Sequence, residues 1–350
     1  MINNNSKDSI LDLDNLKMKL QSHQRESRIE AIQIIADNKL FDGISLLHKL
    51  ITDDPDPVVR EIAIVGLADF KQENSLDIFC KAIQTYKERN NFVKARAIWA
   101  LGNYKAPSIR NLLEKALDDE NLEVQYWAIV NFVHNYPDDF PVTKLLGILH
   151  KSNKNLIRQT IVWAFGMIKY SDANKTLIDF LLKDDDVFVR LNAAWSLSKI
   201  NDLTSASALS YALKNELNAL VKREMAIALG NILEKNNRES YELEKISTSE
   251  NNVDEAITAL SMVLQRDSIY YVRRACAEAL GKICSSKAVT ILIDIYTSEV
   301  NQFVRKEIAE ALGKIGDPSA IPILRKSLRS HYQMVVKAAN KAIEEIVRNS

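Results

Sequence analysis

The sequence predicts an all-α protein, a right-handed α-solenoid of about ten helix-pair repeats, on three observations. One phrase recurs along nearly the whole chain with a period of 31 to 34 residues. Each copy carries the apolar spacing of an amphipathic helix, and no segment alternates apolar and polar residues as a strand would. The phrase is plainest in FVRKEIAEALGKIGDP near residues 303 to 318 and in YVRRACAEALGKI near 271 to 283. Indexed by its basic residue, it falls at Arg28, Arg60, Lys94, Gln125, Arg158, Arg190, Lys222, Arg273, Arg305 and Val336. Every interval but one lies between 31 and 34; the exception, Lys222 to Arg273, is 51.

Each period reads as two helices, A and B. Helix B carries small or apolar residues three, four and seven places after the index, as in Ala63/Ile64/Leu67, Ala97/Ile98/Leu101, Ala193/Ala194/Leu197 and Ile308/Ala309/Leu312. That is one buried stripe of a helix. Four places before the index stand Asp56, Asn90, Asn121, Asp186, Asn218 and Asn301, side chains that cap the unpaired first amides of a helix. Pro57 fits the first helical position, where its missing N–H costs nothing. Shorter apolar-periodic runs such as SLLHKLI, IRNLLEKAL, TLIDFLL and AIPILRKSL precede the B helices and form the A helices. A two-helix unit of this size cannot bury its own apolar face, so successive copies must stack into a continuous core. The small residues three and four places after the index are expected to let neighbouring helices approach closely.

The long interval places a polar insertion, EKNNRESYELEKISTSENNV, at 234–253. Its Asn, Ser and Glu content reads as a solvated loop. The expected organisation is a loose tail at 1–8, repeats 1–7 over 9–233, the insertion loop at 234–253 and repeats 8–10 over 254–350.

Composition narrows the function classes. With 47% apolar and 26% charged residues the chain has an ordinary folding composition. Its 46 basic and 46 acidic side chains cancel, which removes the general electrostatic drive toward nucleic acid or anionic lipid. Cys80, Cys276 and Cys284 are too scattered for a disulfide framework or zinc ribbon, which points to a reducing compartment. No apolar run approaches the roughly 20 residues of a membrane span, and the start, MINNNSKDSILDLD, lacks the pattern of a signal peptide. A cytoplasmic location, with no membrane partner, is the expectation. No Walker loop, dinucleotide fingerprint, nucleophile elbow, C-x-x-C or H-E-x-x-H occurs, so no catalytic residue is nominated. Acidic runs such as Asp53-Asp54-Pro55-Asp56 and Asp184-Asp185-Asp186 resemble metal ligands in isolation. They recur at the A-to-B turn, where carboxylates favour the positive end of helix B, so no metal or other cofactor is assigned. The index Arg and Lys residues are expected to pair with these acidic turns in neighbouring rungs, and Cys276 lies in an apolar slot of a B helix.

The residues VRKEIAEALGKIGDPSAIPIL, with acidic runs before other copies of the Val-Arg pair (DDPDPVVR, KDDDVFVR), resemble the short HEAT-like repeats of the phycobilin lyase E/F family. The resemblance runs from about residue 10 to 348 and implies a HEAT-type solenoid. Within that family it implies a bilin, an open-chain tetrapyrrole, carried to a cysteine of a phycobiliprotein subunit. Deoxyhypusine hydroxylases are similar in architecture but carry His-Glu pairs for two irons. Here the five histidines are followed by Gln24, Lys49, Asn135, Lys151 and Tyr332, so a diiron site is not expected. HEAT-like DNA glycosylases are shorter and basic, which this chain is not.

One departure from the repeat marks a candidate surface. Five places after the index the outer copies carry Gln33, Glu278, Glu310 and Lys341, whereas the six central copies carry Val65, Trp99, Val130, Trp163, Trp195 and Ile227. Helix geometry adds residues one and nine places after the index, Tyr126, Leu191, His134 and Met167. B helices line the inner curve of such solenoids, so an apolar, aromatic groove is expected there, with Trp127 in a packing slot outside it. The aromatics could instead fill space between adjacent B helices. The leading expectation is a non-catalytic scaffold that grips a partner protein or peptide in this groove. The alternative is a bilin lyase or lyase subunit whose groove shelters the tetrapyrrole, with Arg96, Arg158 and Arg223 meeting its propionates.

Overall fold

The structure, a computed structural model, describes residues 12–84, 90–234 and 246–349. The expected tail at 1–8 lies outside them. Among the described residues the chain forms α-helices joined by turns and short 3-10 segments, with no strand. The helices are α1 (Leu13–Leu20), α2 (Arg25–Asp37), α3 (Ile44–Asp53), α4 (Pro57–Ala68), α5 (Leu76–Gln84), α6 (Asn91–Ala100), α7 (Pro107–Ala116), α8 (Leu122–Asn135), α9 (Val142–Lys151) and α10 (Asn155–Met167). They continue as α11 (Asn174–Lys183), α12 (Val187–Ile200), α13 (Ala206–Asn215), α14 (Ala219–Ile232), α15 (Ile246–Arg266), α16 (Tyr270–Ile283), α17 (Val289–Ser298), α18 (Gln302–Ile315), α19 (Ile321–Ser327) and α20 (Gln333–Asn349). Odd-numbered helices are the A members and even-numbered the B members, one pair for each index residue. The chain divides into two compact units, Met1–Ala164 and Phe165–Ser350, each an α-solenoid segment.

The B helices begin where the caps predict. Asp56, Asn90, Asn121, Asp186, Asn218 and Asn301 are all N-caps whose side chains accept from amides of the first turn. Their stripes form the core: Ala63, Ile64, Leu67, Ala97, Ile98 and Leu101 in the N-terminal unit are fully buried, as are Ala193, Ala194, Leu197, Ile308, Ala309 and Leu312 in the C-terminal unit. In the N-terminal unit α4 packs on α2 and α6, and α6 on α8; in the C-terminal unit α14 packs on α12 and α16, and α18 on α16 and α20. Neighbouring B helices approach closely eight places after the index, where a Cβ built on Gly281 would stand 2.9 Å from the Ala311 Cα, and one on Gly313 2.8 Å from the Ala342 Cα. Glycine is needed there because one backbone rests on the next. Cys276 is a fully buried member of the core, and burial pushes its thiol well above the ordinary range.

The expected loop at 234–253 needs correction. Helix α15 begins at Ile246 and runs 21 residues, where α13 and α17 have ten each. Residues 246–253 are therefore helical, and most of the rest of the insertion lies outside the described residues. This extension packs on its own unit: Val253 is buried, and the Asn252 amide group donates to the Leu203 carbonyl at 3.2 Å. A run with so few apolar residues carries too weak a period to be read as helix.

Candidate functional site

The residues expected along one stripe fall in both units. In the N-terminal unit, Val65 on α4 is exposed, Trp99 on α6 half-buried, Tyr126 and Val130 on α8 half-buried, His134 exposed, and Trp163 on α10 half-buried. In the C-terminal unit, Met167 is exposed, while Leu191 and Trp195 on α12 and Ile227 on α14 are half-buried. None of the ten lies in the core. The indoles of Trp99, Trp163 and Trp195 neither stand free nor vanish beneath their neighbours.

In the N-terminal unit these side chains gather into a cluster. The Trp99 and Trp127 rings meet edge to face at 6.3 Å, and Tyr126 and Trp127 do so at 5.0 Å. Trp127, expected to pack outside the stripe, is instead half-buried and joins Trp99 to Tyr126. Beside the cluster opens a cavity of about 520 Å³, lined among others by Ile32, Val65 and Trp99 and by Asp37, Glu61, Asp69 and Arg96. Arg96 donates from Nε to the Glu61 carboxylate at 3.0 Å, and Asp69 lies 3.6 Å from the Lys39 ammonium. In the C-terminal unit the Lys199 ammonium stands 5.3 Å from the centre of the Trp195 ring. Nearby, burial pushes the Glu224 carboxyl above the ordinary glutamate range, against the pull of Arg223 and Lys199. Of the three arginines expected to meet carboxylates, Arg223 is exposed, Arg96 is held by Glu61, and Arg158 donates to the Ser152 carbonyl of its own turn at 3.3 Å.

The index cations have structural work. Arg28 grips Asp54, Lys94 Asp119, Arg190 Glu216, Lys222 Asp267 and Arg273 Glu299. Each of these carboxylates also accepts the amide of the residue two places on, as Glu216 does from Asn218 at 2.8 Å and Glu299 from Asn301 at 2.8 Å. One carboxylate thus ties the cation of one copy to the turn of the next. Arg190 and Arg273 meet their glutamates with two nitrogens, Nε and Nη2, the bidentate form that a guanidinium favours.

A further surface went unread in the sequence. The slot two places before the index exposes large apolar side chains, with Phe92 60% and Phe188 56% exposed and Leu220 and Phe303 also outward. Its signal was available: an apolar residue recurs at the first turn of helix B, in a slot the core does not use.

A family model described as HEAT repeats matches residues 142–230 and 257–344. A second, described as a PBS lyase HEAT-like repeat, matches residues 93–119, the segment that carries Arg96 and Trp99. Among solved structures, yeast importin-β (Kap95p) is similar at 14% identity with a TM-score of 0.65, over 96% of this chain and 50% of that one. A crystal structure of importin β has 14% identity and a TM-score of 0.58, over 95% and 56%. YibA of Escherichia coli has 16% identity and a TM-score of 0.54, over 81% and 96%. At these identities the likeness is one of fold, and the chain spans about half the length of the importins it matches. No curated protein sequence matches it. The stacked A and B helices, the capped turns and a repeat model covering half of the residues lead to one assignment: the chain belongs to the HEAT-repeat family.

Proposed function

We propose that the chain is a non-catalytic scaffold that binds a partner protein or peptide, with the Trp99, Tyr126 and Trp127 cluster as its anchor site. The observation that supports this reading is the cavity of about 520 Å³ beside that cluster, with Val65 and Trp99 as apolar wall. A half-buried tryptophan at a cavity mouth, here Trp99, is what an interface anchor looks like. Kap95p, similar in fold, binds RanGDP, so a solenoid of this type serves as a protein-binding surface. Three carboxylates, Asp37, Glu61 and Asp69, line the cavity against two cations, Arg96 on Glu61 and Lys39 beside Asp69. That balance favours a segment with an apolar side chain next to a lysine or arginine, whose cation would stack on an indole.

The test is a random peptide library selected on the intact protein and then measured against Trp99→Ala. Binders from this site should weaken by about tenfold or more, while the variant loses well under the roughly 3–5 kcal/mol of a fully buried aromatic. Binders indifferent to Trp99→Ala and Trp127→Ala would sink the reading. A second reading rests on the PBS lyase HEAT-like match over 93–119: the same cavity would shelter a bilin for a phycobiliprotein subunit. Titration with phycocyanobilin separates the two, since a bound bilin shifts its visible absorption and Trp99→Ala would abolish the shift.

A further inference from the structure

Among the described rungs, the last keeps its index cation but lacks the carboxylate. The slot that holds Asp54, Asp119, Glu216, Asp267 and Glu299 lies six places before the next index residue. Three described copies put serine there; Ser22 comes before the first index residue and so follows no earlier index cation. Where the preceding index residue is the uncharged Gln125, the slot holds Ser152, so cation and carboxylate are absent together, and Gln125 donates to the Leu117 carbonyl at 3.1 Å instead. In the last rung the slot holds Ser330. It keeps the capping half of the role, since its hydroxyl accepts the Tyr332 amide at 3.3 Å. The preceding index residue, however, is still an arginine, Arg305.

Arg305 has none of the partners its counterparts have. Its guanidinium lies over the Tyr296 ring, 4.9 Å from the centroid, and its Nε is buried with no hydrogen-bond partner. The Tyr296 hydroxyl, on a side chain only 1% exposed, is buried and unpartnered as well. Both border a cavity of about 290 Å³ whose lining includes Lys326, Arg329 and His331 and contains no carboxylate. Two unsatisfied buried donors in a cationic cavity are costly unless an acceptor completes them. The ladder shows which acceptor: at Arg190 and Arg273 the Nε edge holds a carboxylate with two hydrogen bonds. A second cavity, of about 610 Å³, shares Tyr332 with the first and is lined by Tyr270, Val300 and Phe303. There Tyr270 and Phe303 hold their rings 5.8 Å apart, and Val300 is 82% exposed.

We infer that the last rung of the C-terminal unit binds a carboxylate supplied from outside the chain, an aspartate or glutamate side chain of an acidic peptide. The carboxylate takes the Nε edge of Arg305 and the Tyr296 hydroxyl, a small shift of the exposed His331 and Lys326 side chains opening the way. The flanking apolar residues of the peptide cover Tyr270, Phe303 and Val300, which a free small carboxylate would leave bare. This site is independent of the Trp99 cavity and is tested apart from it.

The experiment pairs a substitution with a probe. Ser330→Glu supplies the missing carboxylate within the chain while keeping an acceptor for the Tyr332 amide. It should raise the melting temperature by about 2–4 °C and abolish binding. The probe is a fluorescein-labelled nonapeptide with a central glutamate between phenylalanine and leucine on a glycine-serine background. It should bind the full-length protein at least about tenfold more tightly than its glutamine counterpart, and Arg305→Gln, checked for its helical signal, should erase that difference. Equal binding of the two peptides, or a Ser330→Glu variant that melts no higher than the parent, would overturn the proposal. So would protection by inorganic phosphate without any by the glutamate peptide, which would assign the cavity to a phosphoryl anion.

Discussion

Glu216 is half of a rung, and its neighbours decide what it is worth. Its side chain is 6% exposed, it takes Nε and Nη2 of Arg190 at 2.7 and 3.1 Å, and it accepts the Asn218 amide. Glu216→Ala strands a guanidinium and an amide at once, and should lower stability by about 3–5 kcal/mol. Asp185, equally acidic and also at an A-to-B turn, is exposed; Asp185→Ala should fall within about 0.5 kcal/mol of the parent. Equal losses from urea melts of the two variants would mean that acidity at the turn matters and the rung does not. Burial alone would raise the Glu216 carboxyl, but the hydrogen bonds from Arg190 and the Asn218 amide outweigh it, and its pKa lies below the ordinary 4.5. Glu299 is lowered in the same way by Arg273 and the Asn301 amide. For an acid depressed in the fold, the stabilisation is complete above the unfolded value and disappears as pH falls through the folded one. The parent should therefore lose stability on acidification below about pH 4.5, and Glu216→Gln should lose less over the same range.

At the scale of the helix, spacing between B helices is set by single atoms. A Cβ on Gly281 would meet the Ala311 Cα at 2.9 Å and its Cβ at 3.0 Å, and backbone cannot swing aside as a long side chain can. Gly281→Ala gains helix propensity of about 1 kcal/mol yet should be destabilising by about 1–3 kcal/mol from overpacking. Gly147, with nothing within 4 Å of its Cβ position, should gain from the same change; calorimetry that found both alanines stabilising would show that the B helices slide freely. This also shows where sequence reading stops. Periodicity within one helix placed Ala63, Ile64 and Leu67 in the core, and residue type at a fixed offset placed the caps Asp56 and Asn301, because both are local. The Gly281 contact joins residues 30 apart, and the Trp99 to Trp127 contact joins residues 28 apart. Both depend on how one helix is rotated against the next, which no spacing within a copy encodes. The candidate site was thus legible as a list of slots, while the part played by Trp127 and the capture of Arg96 by Glu61 were not.

Within each unit hairpins are buried by their neighbours in the stack, so stability should behave as a sum of local and nearest-neighbour terms. The four tryptophans provide a way to test this, because Trp99, Trp127, Trp163 and Trp195 all lie in the third to sixth copies, whereas helical circular dichroism reports on every copy. Ile308 is fully buried in α18 of the ninth copy, and Ile308→Ala should remove about 2–5 kcal/mol there. If the stack is quasi-one-dimensional, urea titration of Ile308→Ala will lose part of its helical signal at lower denaturant, while the tryptophan fluorescence midpoint stays with the parent's. Destabilisation confined to one end leaves central copies folded only when the coupling between adjacent hairpins is weaker than the loss inflicted. Equal shifts of both midpoints would mean that coupling exceeds it and the chain unfolds as one cooperative block. In that case a ligand at the Arg305 cavity would stabilise the Trp99 cluster too, because stabilising any part of such a block stabilises all of it.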